Sequence, residues 1–138
     1  MSNTTIRRGG CFCGAVRYEA TGEPIMSGHC YCADCRKASG SGFIPFMVYP
    51  AGALQFTGET SQFVSRSARG GEAVRNFCPV CGGLVYGGVV GKDESHTIYA
   101  GSLDDPRLFE PKIAIFGRDR PDWAPIPEGL AVFETMPG

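Results

Sequence analysis

The apolar positions fall into short runs cut by turn signals. Val16-Arg17-Tyr18-Glu19 alternates apolar and polar residues, and Thr21-Gly22-Glu23-Pro24 ends it. Leu54-Gln55-Phe56-Thr57 alternates again and stops at Gly58. Gln62 to Ser65 and Ala73 to Phe77 flank Arg69-Gly70-Gly71-Glu72, the pattern of a hairpin. Leu84 to Val90 and His96 to Ala100 flank Gly91-Lys92-Asp93-Glu94, a second hairpin, and Lys112 to Phe116 reads as a further strand. Phe43-Ile44-Pro45-Phe46-Met47-Val48-Tyr49 is mostly apolar, with Phe43, Phe46 and Tyr49 as strand core. Its Pro45 predicts an edge strand or a bulge. The single helical signal is Ala33 to Ser39, with Asp34 in the first turn and Gly40 as the stop, about two turns long. The tail from Pro121 to Pro127 holds three prolines around Trp123. It predicts an extended strap with the tryptophan as core anchor.

Composition supports a turn-rich β protein. Among 138 residues there are 20 glycines and 10 prolines, a density that opposes long helices. The chain length fits one domain over residues 1–138. Hydrophobic residues make up 43%, enough for a core and too many for wholesale disorder. Thirteen basic residues face 14 acidic ones, so the basic excess expected of a nucleic-acid protein is absent. No apolar stretch approaches the ~20 residues of a membrane-spanning helix. Arg7-Arg8 runs into Gly9-Gly10-Cys11 rather than an apolar segment, so no secretory signal is visible. The expected compartment is the cytoplasm, where thiols stay reduced and clustered cysteines bind metal.

Seven cysteines fall into three clusters. Cys11 and Cys13 form C-x-C, Cys30, Cys32 and Cys35 form C-x-C-x-x-C, and Cys78 and Cys81 form C-x-x-C. Tetrahedral zinc takes four ligands at about 2.3 Å, and such spacings let one tight turn present two sulfurs to one ion. Seven sulfurs divide as four plus three, or the middle cluster joins one pair and leaves the other free. Gly14 follows Cys13, and Gly82-Gly83 follows Cys81. Glycine there permits the positive φ of a knuckle turn that aims backbone N–H groups at sulfur. The middle cluster has no such glycine, because Arg36-Lys37 follows Cys35. Cys11, Cys13, Cys78 and Cys81 therefore predict a closed structural zinc site.

Cys30, Cys32 and Cys35 then remain as three ligands, and three protein ligands with an open position is the catalytic zinc pattern. The alternatives are a reduced thiol cluster or a site closed by histidine. His29 and His96 are the two histidines. His29 precedes a ligand and points to the opposite face of an extended segment. His96 sits at the edge of a hairpin and is expected on the surface. Three thiolates make zinc a weak Lewis acid, ill suited to generating hydroxide and suited to holding an exogenous thiolate that stays nucleophilic. The ligand set thus predicts a thiol substrate adding to an electrophilic carbon, or the reverse.

Three segments resemble one known family. They are Gly10-Cys11-Phe12-Cys13-Gly14-Ala15-Val16-Arg17-Tyr18, then His29-Cys30-Tyr31-Cys32-Ala33-Asp34-Cys35-Arg36-Lys37-Ala38-Ser39-Gly40, then Arg75-Asn76-Phe77-Cys78-Pro79-Val80-Cys81-Gly82. Together with Gly101-Ser102-Leu103-Asp104-Asp105-Pro106, Trp123 and the Leu130-to-Phe133 end, the order is similar to the glutathione-dependent formaldehyde-activating enzymes, which include centromere protein V. The resemblance runs from about Gly9 to Phe133. It implies a mainly β fold of several small coiled antiparallel sheets anchored by zinc, with at most one or two short helices. It implies two zinc ions, a structural one on Cys11, Cys13, Cys78 and Cys81 and a labile catalytic one on Cys30, Cys32 and Cys35. It also implies a carbon–sulfur lyase that condenses glutathione with formaldehyde. Some members carry a histidine where Ala114 stands here.

The expected partners are therefore a small-molecule thiol and an aldehyde, with no nucleic acid and no membrane; a homo-oligomer stays open. The competing class is a non-catalytic zinc module for metal or redox sensing or for bracing the fold. Arg36 and Lys37 either offset the thiolate charge, bind a substrate carboxylate, or form a solvated helix face. Arg75 either steadies Cys78 or lies on the surface. Asp104-Asp105-Pro106 reads as an Asx-type turn rather than a catalytic pair.

Overall fold

The apolar run after Gly42 becomes strand β4 (Ile44–Pro50), which the chain surrounds on both faces. In the computed structural model, which describes residues 4–67 and 70–137, β4 lies inside an eight-stranded sheet. Its neighbours on one side are β3 (Met26–Cys30), β10 (Ile113–Ile115) and β11 (Ala131–Val132). On the other side lie β9 (Ser95–Tyr99), β8 (Leu84–Gly87), β7 (Glu72–Phe77) and β6 (Ser61–Arg66). A separate antiparallel sheet holds β1 (Ile6–Gly10), β2 (Arg17–Thr21) and β5 (Leu54–Thr57). The fold is mainly β, with one α-helix, α1 (Ala33–Ser39), among the described residues. Two pairings are parallel, β10 with β3 and β10 with β11, and the remaining named pairs are antiparallel.

Pro45 occupies an inner strand rather than the expected edge or bulge. It pairs with His29 of β3, but β9 ends at Tyr99, opposite Phe46. Pro45 thus lies one position beyond β9, where a missing N–H breaks no ladder on that side. The first hairpin forms as expected, with Ser65 opposite Ala73 and Arg66 opposite Glu72. Of its loop, Ala68 and Arg69 lie outside the described residues.

The period-2 alternation of β4 separates two cores. Met47 and Tyr49 face the three-stranded sheet and pack with Val16, Tyr18, Ala20, Leu54, Val85, Tyr86 and Ile98. Ile44 and Phe46 face the other way and pack with Cys30, Cys32, Cys35, Ile115 and Phe116. The strap reaches a third cluster, where Ala124 is buried beside Tyr31 and Ala114. Trp123 is not the expected core anchor, since 71% of it is exposed. The Ala124 N–H closes a turn onto the Pro121 carbonyl at 3.0 Å, which buries the alanine and leaves the indole outside, over Gly42.

A bulge joins β7 to β8. Asn76 faces Tyr86 while Phe77 faces Leu84, so Val85 is the extra residue. Val85 and Tyr86 both enter the inter-sheet core. The Asn76 amide, 1% exposed, holds this irregularity together. Its Nδ2 donates to the Tyr86 and Gly88 carbonyls at 3.1 and 2.7 Å, and its Oδ1 accepts from Thr60 Oγ1 and Gln62 Nε2 at 2.9 and 3.0 Å. Removing an amide so placed strands two carbonyls and two donors. Asn76→Ala is expected to lower unfolding free energy by about 2–3 kcal/mol in urea denaturation. A loss under about 0.5 kcal/mol, the range of an ordinary surface change, would show that the network is not structural.

Candidate metal centres and the cavity between them

The sequence-predicted ligands come together as two groups. Cys11 and Cys13 lie in the turn that links β1 to β2, closed by the Cys11 N–H on the Val16 carbonyl at 3.0 Å. Cys78 and Cys81 lie in the turn between β7 and β8. Their four sulfurs are all within 4.8 Å of one another. Cys13 Sγ stands 3.7 Å from both Cys11 Sγ and Cys78 Sγ. Ligands at about 2.3 Å around a tetrahedral ion have edges of about 3.8 Å, so the four sulfurs already have the spacing of a zinc shell. All seven cysteines are unpaired.

The knuckle glycines behave as their positions require. Gly14 and Gly82 have φ of 87° and 75°, a region closed to most residues with a Cβ. The turns they permit aim N–H groups at sulfur. Val16 N–H meets Cys11 Sγ at 3.3 Å, and Val80 and Cys81 N–H meet Cys78 Sγ at 3.3 and 3.5 Å.

The second group needs no glycine, because a helix supplies the turn. Cys30 ends β3, and Cys32 is the N-cap of α1, its sulfur accepting from the Cys35 N–H at 3.4 Å. The three sulfurs of Cys30, Cys32 and Cys35 lie within 4.8 Å of one another and all three residues are buried. Among the described residues, no fourth His, Cys, Asp or Glu joins them. Crowding sets their protonation. Hydrogen bonds from Cys30 and Cys35 push the Cys32 thiol down to about 2. Cys30 is pushed up to about 12, first by its bond to Cys32, and Cys35 is pushed up by Cys30 and Cys32. Left alone, three such thiols share one negative charge; a divalent cation lets all three ionise. The donor set therefore fits a soft or borderline metal ion with one position to spare.

Neither histidine is a ligand. His29 points to the opposite side of its strand, its ring stacked on Phe43 at 4.1 Å. His96 is not on the surface as expected: it is 3% exposed, in line with Ile98 on the inter-sheet face. It packs edge-on against Phe56 and Tyr86, and its Nδ1 lies 2.9 Å from the Gly87 carbonyl. The alternation of His96 with Ile98 was the signal for its burial. Asp105 caps a short 3-10 turn by accepting from the Arg107 N–H at 3.1 Å, and Asp104 pairs with Arg17, so the Asp-Asp-Pro segment is a turn.

The second cysteine group forms one wall of a cavity of about 440 Å³. The floor is the sheet face that carries Ile44, Phe46 and Val48 of β4, Thr97 and Tyr99 of β9 and Arg75 of β7. Phe116 adds a side wall. It is the one non-glycine residue with positive φ, 55°, among the described residues. Its N–H donates to the Thr135 carbonyl at 2.9 Å, which holds a bulky residue in a conformation that costs on the order of 1–3 kcal/mol. Tyr99 lies between the charges of the cavity. Burial pushes its phenol up to about 12, Arg75 opposes the shift, and Cys35, Cys30 and Cys32 add to it. Arg36 and Lys37 do not line the cavity. Tyr99 and Phe116 were outside the sequence-based candidates, because neither lies in a motif.

The sequence profile of the glutathione-dependent formaldehyde-activating enzymes matches residues 6–119. The chain belongs to this family. As a formaldehyde-activating-enzyme family member it carries both cysteine groups inside the matched region. Its fold is similar to the crystal structure of a Rhodobacter sphaeroides protein, with a TM-score of 0.55 and 22% identity over 75% of this chain and 96% of that one. No curated protein matches. Among the described residues no helix is long and apolar enough to cross a membrane.

Metal analysis of the purified family member is expected to find two divalent ions per chain, one for each cysteine group. The Cys32→Ser, Cys35→Ser double variant is expected to retain one. Because ligand thiols must be deprotonated, both ions leave as pH falls. Two ions retained by the double variant would contradict the assignment.

Proposed function

We propose that the protein is a zinc-dependent carbon–sulfur lyase that condenses a thiol, glutathione in first place, with formaldehyde or another small aldehyde. Cys11, Cys13, Cys78 and Cys81 hold a structural zinc, and Cys30, Cys32 and Cys35 hold a catalytic zinc. The observation that carries the reading is the second group: three buried sulfurs, no fourth protein ligand among the described residues, and an adjoining cavity. Membership in a family described as glutathione-dependent and formaldehyde-activating supports it.

When bound, the zinc supplies a position for an exogenous thiolate that stays nucleophilic, because three cysteine thiolates already outweigh the charge of the ion. The chain does the remainder. Ile44, Phe46, Val48 and Phe116 make the cavity beside the sulfur wall apolar. In the reaction the substrate sulfur donates the electron pair of the new C–S bond. The carbonyl π pair moves to oxygen, and the oxygen takes a proton to give the hydroxymethyl thioether. The phenol of Tyr99, held protonated by burial, lines the same cavity as a hydrogen-bond donor. The set of unpaired cysteines suits a reducing compartment, the cytoplasm.

Cobalt substitution tests the reading. Titration with glutathione is expected to produce a new thiolate-to-cobalt absorption in the wild type and none in Cys32→Ser. No change in the wild type would refute an exogenous thiol ligand and leave a non-catalytic zinc module.

The two groups also differ in what they hold up. Cys81→Ser removes a ligand that ties two sheets together and is expected to cost several kcal/mol, by analogy with other structural zinc sites. Cys32→Ser is expected to keep the thermal transition within a few degrees of the wild type. Equal loss of stability in both would overturn the division into structural and catalytic sites.

A further inference from the structure

Among the described residues Arg75 is the one arginine of the cavity wall. Its Nε is buried without a partner. Among the described residues its guanidinium makes one hydrogen bond, a long one of 3.3 Å from Nη1 to Ser65 Oγ. No carboxylate of the described residues lies within ion-pair distance of it, although Asp34, Glu72 and Asp93 also line the cavity. The Asp93 carboxylate is engaged elsewhere, accepting from the Val89 N–H at 2.6 Å. A guanidinium with a buried, unsatisfied donor lacks a planar acceptor, and a carboxylate is the acceptor its fork matches.

The sheet register places this group on the cysteine side. Arg75 pairs with Gly87, which has no side chain to stand between Arg75 and Thr97. Thr97 pairs with Val48, and Val48 with Met26. All five residues line the cavity. Cys30, two positions along the same face from Gly28, pairs with Ile44. Cys32 and Cys35 pack on Ile44 and Phe46 of β4. β4 and β7 are three strands apart, about 14 Å in a flat sheet, and the Arg75 guanidinium is bonded to Ser65 of β6, at the edge beyond β7, so its anion site lies a full sheet half from the sulfurs. Tyr99 of β9 lies between the two strands: it pairs with Phe46 of β4, and its hydroxyl reaches over Gly87, the partner of Arg75.

We propose that Arg75 is a specificity-determining residue that binds a carboxylate of the thiol substrate, so that the cavity selects a thiol whose anionic group lies several bonds from sulfur. The proposal rests on the reading of Cys30, Cys32 and Cys35 as the place where the thiol sulfur docks. A peptide-sized thiol such as glutathione spans the gap, and a compact one with thiol and carboxylate on adjacent carbons does not. Lys92, also on the cavity wall, adds a second positive charge near the exposed rim.

The test separates the carboxylate from the sulfur. S-methylglutathione has the carboxylates of glutathione and no thiol, so calorimetric titration of the zinc-loaded protein with it reads the anion subsite alone. The wild type is expected to bind S-methylglutathione at least about tenfold more tightly than its diethyl ester. Arg75→Met is expected to lose that preference and Arg75→Lys to keep part of it, with metal content and circular dichroism unchanged in both. Equal binding of acid and diester by the wild type, or no measurable binding of either, overturns the proposal without any variant. Arg75→Met binding the acid as the wild type does also overturns it. If S-methylglutathione discriminates as expected while glutathione leaves the cobalt spectrum unchanged, the carboxylate subsite stands and the thiol–metal reading falls.

Discussion

Thiols crowded to within hydrogen-bonding distance cannot all ionise unless a cation lies among them, and this fold crowds seven of them into two groups. The charge balance at sulfur is the constraint on which the rest depends. The four-sulfur group brings the turn after β1 against the turn after β7, where an ion on the four sulfurs would pin the small sheet to one end of the large one. The inter-sheet core of Tyr18, Met47, Tyr49, Val85, Tyr86 and Ile98 lies beneath that pin. A chain with 20 glycines loses much entropy on folding, and a metal cross-link between those distant turns would offset a cost that a small core meets poorly.

Closing one face of the large sheet leaves the other available for chemistry. β4 serves both because its alternate residues are apolar in both directions. On the second face the cover is incomplete: α1, the strained turn at Phe116 and the C-terminal segment ring a cavity instead of filling it. The same alternation keeps Tyr31 and His29 away from the sulfurs. Cys30 and Cys32 share a face, while Tyr31 between them is fully buried in a different cluster. The C-x-C spacing is thus a strand motif, and the C-x-x-C that follows is a helix-start motif.

The division of the cysteines into two groups was legible in the sequence because cysteine spacing is a short-range property. Two sulfurs on one knuckle are set by three or four residues and a glycine at positive φ, and the chain supplies both at Cys13-Gly14 and Cys81-Gly82. Short strands and the two-turn helix were legible for the same reason. Sites set by tertiary contact were less so. Trp123 reads as an anchor by type, yet a turn at Pro121 gives the burial to Ala124. Pro45 reads as an edge, yet only the end of β9 makes it a local one. The cavity wall is drawn from β3, β4, β7, β9 and the segment after β10, and no window of sequence contains it.

The electrostatics of the two faces differ in a way that follows from this division. The four-sulfur group sits at the rim, with Cys13 exposed, where water and knuckle N–H groups screen the excess negative charge of a metal–thiolate centre. The three-sulfur group is buried on all its members, so water does not screen it, and the Cys35 N–H at Cys32 Sγ is the backbone donor it has at hand. Its environment is apolar on the side of Ile44, Phe46 and Ile115. Charge introduced there, a thiolate substrate included, gains little from solvent and must be met by the protein. Arg75 is a half-buried cation on that wall with its Nε buried, and it comes from a strand three positions away because apolar side chains occupy the positions nearer the sulfurs. For a thiolate docked at a metal on these cysteines, that separation would also keep the sulfur nucleophilic, since a guanidinium in contact with it would lower its basicity.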